Sequence, residues 1–232
     1  MQVSTAGIVL STIKYRETSV ITKIYTRELG TQGYIVNGVR AAKARMAPSL
    51  FEPLTQLQLE VYHSPNAELH RIKEIYCSQP YHHIPLDPVK STIRFFLAEF
   101  AARILADEDA HPDLFSFLTS ALQVLDLMDT SVGSFPLQFM LKLAQPLGFE
   151  PSSAEDFLDH LPHPAEPCYG LRPFEQGQLI IDYLRQPFTA PPQHIDLELR
   201  RYLMTLVLDF WSGHLNTIIA PKSLVVLQQV LG

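Results

Sequence analysis

From Gly7 to Tyr76 the apolar residues recur with a period of two and are separated by turn-forming residues, the pattern of short antiparallel strands. Five strands are predicted, over Gly7 to Tyr15, Ser19 to Arg27, Gly33 to Val39, Leu54 to Tyr62 and Glu68 to Tyr76. The fourth is the most regular, with Leu57, Leu59 and Val61 alternating against Gln58, Glu60 and Tyr62. Leu29-Gly30, Gly38, Pro48 and Ser64-Pro65-Asn66 supply chain-reversing chemistry between them. Five short strands with one long connection, Arg40 to Pro53, fit a partly open Greek-key barrel, and an SH3-like barrel fits the pattern nearly as well.

The period changes after Pro80 to Pro88. Asp87-Pro88 reads as an N-cap followed by proline in the first helical position. Ile93, Phe96, Leu97, Phe100, Ala101, Ile104 and Leu105 then share a helical face, and Leu114, Phe117, Leu118, Ala121, Leu122, Leu125 and Met128 share another. Further helices are predicted over Phe135 to Leu147, around Leu199 to Trp211, and over Ser223 to Val230. These faces need one another, which predicts a helical bundle. Pro146 to Pro192 holds nine of the eighteen prolines and reads as an irregular insertion. Within it Leu179 to Ile181 suggests a hairpin strand, and Ala154 to Leu161 a helical turn or two. The fold class is therefore α+β, with a barrel domain over 1–80 and a helical domain over 81–232 that contains the 146–192 insertion.

Composition adds a soluble class and a compartment. Of 232 residues 47% are hydrophobic, enough for a buried core, and no stretch approaches the roughly 18 apolar residues of a membrane span. No signal segment opens the chain, so a cytoplasmic, nucleoid-associated protein is expected. Cys77 and Cys168 cannot build a disulfide framework. The net charge of −6 is uneven: residues 1–80 carry nine Lys/Arg against six Asp/Glu, and residues 81–232 carry nine against eighteen. Because screening confines exposed charge to about 10 Å, local sign governs attraction, and a polyanion is expected at the barrel.

No phosphate loop, nucleophile elbow, His-Glu-x-x-His or dinucleotide fingerprint occurs, so an enzyme is not expected. Asp107-Glu108-Asp109 with Asp113 lacks EF-hand spacing and reads as solvated charge in a helix connection. His160, His163 and Cys168 have loosely ligand-like spacing, but no second thiol lies nearby; no metal and no cofactor are expected.

The barrel holds the more specific signal. In the second strand Lys23, Tyr25 and Arg27 are two apart, which puts a ring between two cations on one face. Cations release counterions from phosphates and a ring stacks on any base, worth about 1–3 kcal/mol each. Lys14, Tyr15 and Arg16 end the first strand, and Arg40, Lys43 and Arg45 populate the long connection. Lys14, Arg16, Lys23, Tyr25, Arg27, Arg40, Lys43 and Arg45 are therefore the candidate contacts to single-stranded DNA, with Tyr15 and Tyr34 as further candidate stacking rings. A solvated strand face and a soluble loop would carry the same residues.

The opening Thr5 to Ser19, Tyr25-Thr26-Arg27-Glu28-Leu29-Gly30, and Tyr34-Ile35-Val36-Asn37-Gly38-Val39-Arg40 resemble the start of the bacterial recombination mediator family RecO. Phe51-Glu52-Pro53-Leu54 continues the likeness, and His214-Leu215 with Pro221-Lys222-Ser223-Leu224 carries it loosely to the C-terminal end. The resemblance implies an OB-fold barrel and a non-enzymatic DNA repair factor of the RecF pathway. Such a factor would bind single-stranded DNA, anneal complementary strands, and assist RecA loading with RecR and the single-strand-binding protein. It implies a pocket on the helical body for the acidic tail of that last protein, for which Arg94, Arg103, Lys142, Arg200 and Arg201 are the candidate cations. Many members carry a four-cysteine zinc module where this chain has Cys168 alone, so a metal-free version is expected. The alternative function is a protein-interaction adaptor whose barrel takes a peptide, since one barrel fold hosts unrelated functions.

Overall fold

In the computed structural model the described residues are 1–40, 46–65, 67–130, 132–190 and 196–231. They divide into two compact units, Met1–Leu86 with Arg94–Thr119, and Asp87–Ile93 with Ser120–Gly232.

The first unit is built on a closed five-stranded barrel: β1 Gln2–Tyr15, β2 Ser19–Thr26, β3 Gly30–Val36, β4 Gln56–Tyr62 and β5 His70–Gln79. The order β1-β2-β3-β5-β4, with β4 returning to β1, makes the expected five-stranded barrel, closed rather than partly open and mixed rather than wholly antiparallel. The first strand is longer than its apolar alternation suggests because it serves two neighbours: Gln2 to Ile8 pairs with β4, and Gly7 to Tyr15 with β2. A bulge between Val9 and Ser11 separates most of those two registers, and a bulge sharpens local twist so one strand can turn the barrel corner. All pairs are antiparallel except β3 with β5, which meet only at Tyr34–His70 and Ile35–Arg71. Val9, Ile24, Tyr34, Leu57, Leu59 and Val61 fill the interior.

Two helices follow, α1 Pro88–Ile104 and α2 Pro112–Leu127, the first opening at the expected N-cap, where the Asp87 carboxylate accepts from the Val89 N–H at 2.7 Å. The connection between them is not merely solvated charge. Thr31 donates its N–H to the Glu108 carbonyl at 2.8 Å and its hydroxyl to the Leu105 carbonyl at 2.6 Å. Gly30 makes this approach possible twice over. Its φ of +67° suits glycine, and a Cβ there would stand 2.4 Å from the Glu108 oxygen.

In the second unit, α3 Phe135–Leu143 is buried at every position except Lys142, and the indole of Trp211 donates to the Met140 carbonyl at 3.1 Å. The long helix α6 Leu197–Leu215 is capped by Asp196, whose carboxylate accepts from Leu199 N–H, and ends on Asn216 in the left-handed region. A short helix α7, Leu224–Val230, closes the chain.

The proline-rich segment is more regular than its composition suggests. It holds α4 Ala154–Asp159, as expected, and α5 Pro173–Arg185, which corrects the strand expected over Leu179 to Ile181. Three consecutive apolar residues fit a buried helix as well as a strand. Here Pro173 at the first helical position and Glu175, which accepts from the Arg172 N–H at 2.7 Å, decide for helix.

The residues of this segment do not fit a four-cysteine zinc centre. Cys168 lies in a tight bridge with Leu171, the His160 ring lies on His214 with centroids 4.3 Å apart, and no group of three His, Cys, Asp or Glu comes together among the described residues. An amide occupies the organising position instead. Gln176, fully buried, donates to the carbonyls of Glu166 at 2.9 Å and Leu171 at 3.1 Å and accepts from the Tyr202 hydroxyl at 3.0 Å.

Candidate nucleic-acid interface

Paired residues in an antiparallel ladder point to the same face of the sheet. Ser11 pairs with Lys23, Ile13 with Ile21, and Tyr15 with Ser19, so Lys23, Ile13 and Tyr15 share the outer face of the β1–β2 hairpin. Lys14 pairs with Val20 and therefore projects from the opposite face at the same end. Arg16 sits in the turn with φ 52°, its guanidinium 5.2 Å from the centre of the Tyr15 ring. The chain after β3 returns to this end, because the Arg40 N–H donates to the Thr18 carbonyl at 3.0 Å and Ser19 hydroxyl meets the Asn37 side chain at 3.0 Å. Lys14, Arg16 and Arg40, all exposed, thus gather with half-exposed Tyr15 at one end of the barrel, with Glu17 the acid of that turn.

Other expected contacts fall elsewhere. Lys23 is the exposed residue of β2, in mid-strand, and reaches the Ala106 carbonyl at 3.5 Å. Arg27 is exposed just beyond the far end of β2, its N–H on the Ala6 carbonyl. Eight residues of extended chain separate Arg27 from the Ser19 end, about 26 Å at the usual strand rise. Lys43 and Arg45 lie outside the described residues.

Two of the expected rings are not at the surface. Tyr25 has the outward register of Lys23, but residues 105–115 cover it completely: the phenol donates to the carbonyls of Asp109 at 3.2 Å and His111 at 3.4 Å, and its ring lies 6.3 Å from that of Phe115. Desolvation, aided by Glu108 and Asp109, pushes its pKa up to about 12 against the hydrogen bond at His111. Tyr34 faces the barrel interior with no exposed surface, and burial raises its pKa also. Neither can stack on a base, so Tyr15 is the ring of the predicted set that solvent reaches.

The cations expected to dock a partner divide as well. Arg94 is buried, donating from Nε to the Pro53 carbonyl at 2.6 Å and from Nη2 to the Thr55 hydroxyl at 3.0 Å, so it organises the entry to β4 rather than a pocket. Lys142 donates to the Leu184 carbonyl and lies 5.8 Å from the Phe188 ring, and burial lowers its pKa. Arg201 bridges Glu198 at 2.6 Å and the Gln228 carbonyl at 2.8 Å. Arg200 packs by Gly133, where a Cβ would stand 2.9 Å from its Nη1. Arg103 is exposed, with Glu99 one helical turn away at 3.7 Å.

Ile13, 61% exposed beside Tyr15, is a candidate interface residue that alternation alone assigns to a core, because past the Val9–Ser11 bulge its register turns outward. No helix among the described residues is long and apolar enough to cross a membrane.

Comparison with known proteins agrees with this architecture. Residues 1–81 match the family model for the recombination protein O N terminal region, and residues 85–160 match that for its C terminal region. The chain is 32% identical over 236 residues to the DNA repair protein RecO of Phocaeicola vulgatus, covering 97% of this chain and 98% of that protein. It is 32% identical over 245 residues to the DNA repair protein RecO of Flavobacterium psychrophilum, covering 99% of both. The likeness therefore extends through the helical middle, where motifs alone had not carried it, and the chain belongs to the RecO family of non-enzymatic DNA repair and recombination proteins.

Proposed function

We propose that this RecO protein binds single-stranded DNA across the β1–β2 end of its barrel, anneals complementary strands there, and assists RecA loading together with RecR and the single-strand-binding protein. The observation that carries this reading is the gathering of Lys14, Arg16 and Arg40 around the accessible ring of Tyr15. Cations on both faces of one hairpin end suit a strand that crosses the tip. Lys14 and Arg16 would hold its backbone at the tip and Lys23, three residues farther along the outer face, would take a more distant phosphate, while Tyr15 and Ile13 receive one or two bases.

A site with few rings holds a strand by its phosphates and leaves most base edges free, which is what annealing requires of the first strand. Counting Lys14, Arg16, Lys23 and Arg40 as phosphate contacts gives a double-logarithmic salt slope near −0.7 per contact, about −2.8 in all. For the acidic tail of the single-strand-binding protein, the exposed guanidinium of Arg103 is the best-placed receiver of the five cations considered. The reading is tested by following annealing of complementary oligonucleotides by fluorescence, alone and with the single-strand-binding protein coating one strand. Acceleration that disappears on substituting Lys14, Arg16 and Arg40 supports it, and acceleration that persists contradicts it.

A further inference from the structure

The second unit is acidic, and its acids are not spread evenly. Along α6, Glu198, Tyr202 and Asp209 recur at helical spacing, so Tyr202 and Asp209 stand two turns apart on one side, about 10 Å along the axis. At the Asp209 end is a cavity of about 690 Å³, lined by Asp159, His160 and His163 from the end of α4 and the chain after it, and by Asp209, Ser212 and Asn216 from α6 and its C-cap. The walls are held close together: at Gly213 a Cβ would stand 2.1 Å from the His160 carbonyl oxygen. Asp209 is half-buried, and among the described residues no hydrogen bond or ion pair reaches its carboxylate. Desolvation raises its pKa, and His163 offsets this in part. A partly desolvated carboxylate that accepts no hydrogen bond is costly to the fold unless something brings a cation to it.

At the other end lies a pair of rings. Tyr169 and Tyr202 have centroids 5.9 Å apart with planes at 55°, and Tyr169 is 47% exposed. Tyr202 is fixed by its hydroxyl, which donates to Gln176. Tyr169 is presented by a two-residue turn in which it and Gly170 have φ of 53° and 76°. A bulky residue in that region is strained, and the bridge of Cys168 to Leu171 holds it there. Both phenols are raised, first by burial and then by their neighbours: Cys168, Glu198 and Asp196 beside Tyr169, opposed there by Arg201, which is paired to Glu198, and Cys168, Glu166 and Asp209 beside Tyr202, opposed by the hydrogen bond to Gln176. Two ring faces in a negative field attract a cation and repel a phosphate.

We propose that this α6 groove binds a basic peptide segment of a partner protein, with one arginine or lysine over the exposed face of Tyr169, beside Tyr202, and a second in the cavity against Asp209. The spacing sets the ligand. In an extended chain a rise of about 3.3 Å per residue carries side chains three positions apart over about 10 Å, so the segment recognised is basic-x-x-basic. An acidic tail or a nucleic-acid strand is excluded by the sign of the groove.

The test is fluorescence anisotropy with a labelled Arg-Ala-Ala-Arg peptide, beside versions with either arginine replaced by alanine. The full peptide is expected to bind, and each single replacement to weaken it at least fivefold. Asp209→Asn should weaken binding at least fivefold while raising the thermal midpoint, since it removes an unpaired desolvated charge; a residue that served only the fold would not move the two in opposite directions. Tyr169→Ala, at an exposed turn, should weaken binding several-fold and serves as the second variant. No binding of the full peptide, or binding indifferent to both substitutions, overturns the proposal.

Discussion

The His111 N–H donates to the Tyr25 hydroxyl at 3.1 Å, tying the middle of the barrel wall to a residue eighty-six positions later in the chain. This bond turns the expected stacking ring of β2 into a structural post. Tyr25→Phe should cost about 1–2 kcal/mol, because the backbone groups at Asp109 and His111 lose their partner, and Tyr25→Ala about 3–5 kcal/mol for the buried ring. Denaturant titration measures both. Single-strand affinity of Tyr25→Ala, measured at a temperature where the variant is folded, should stay within about twofold of the parent, whereas a base-stacking role would lower it by the 1–3 kcal/mol typical of a lost ring.

Arg94 offers a parallel case. Its guanidinium satisfies the Pro53 carbonyl and the Thr55 hydroxyl from a buried position and lies 5.3 Å from the centre of the Tyr81 ring. Arg94→Ala is expected to destabilise the fold by about 2–4 kcal/mol through unsatisfied buried groups. The binding of an acidic tail peptide to the folded variant should not change.

These two residues show where sequence reading stops. Period-two alternation located all five strands and assigned Tyr25 the outward register of Lys23, both correctly. What alternation cannot report is which outward positions another segment covers, and residues 105–115 cover Tyr25 through bonds that are all long-range. Arg94 misleads for the same reason: a cation in an acidic region reads as exposed until its partners, a carbonyl and a hydroxyl some forty residues earlier, are known. The start of β1 and the gathering of Arg40 with Arg16 depend on pairing across the barrel, which no local pattern encodes. The helix over Pro173–Arg185 has its local signal in Pro173 and the capping Glu175, whereas the strand expected over Leu179 to Ile181 rests on three adjacent apolar residues that fit either element.

The proline-rich segment makes a chemical prediction. If Gln176 organises it, the purified protein carries no stoichiometric zinc, and chelator leaves its thermal midpoint unchanged. Gln176→Ala should cost about 2–3 kcal/mol, as two backbone carbonyls and the Tyr202 hydroxyl lose a buried partner. One zinc per chain by elemental analysis would contradict this.

Acid should weaken the barrel at its narrow β3–β5 seam. His70, buried there, accepts the Ser64 N–H at Nδ1 and therefore carries its proton on Nε2, 2.9 Å from Gln32 Oε1. Burial, and then the neighbouring His63, lower its pKa below 6.5. Between that lowered value and about 6.5 the unfolded chain binds more protons than the folded one, so stability rises with pH. The contribution is complete above about pH 6.5 and is lost as pH falls below it. Urea midpoints at about pH 5 and about pH 7.5 should differ more in the parent than in His70→Gln.

The account rests on the β1–β2 end as the DNA site, and salt-dependent binding of a single-stranded oligonucleotide tests it most directly. The parent should show a double-logarithmic slope near −2.8. Lys14→Glu/Arg16→Glu/Arg40→Glu, all exposed positions, should lower affinity at least tenfold and reduce the slope to about −0.7, the share of the remaining Lys23. Arg27→Glu, about 26 Å along the strand from that end, should change affinity less than about threefold. Unchanged affinity and slope in the triple variant, or a larger loss in Arg27→Glu, would place the strand elsewhere.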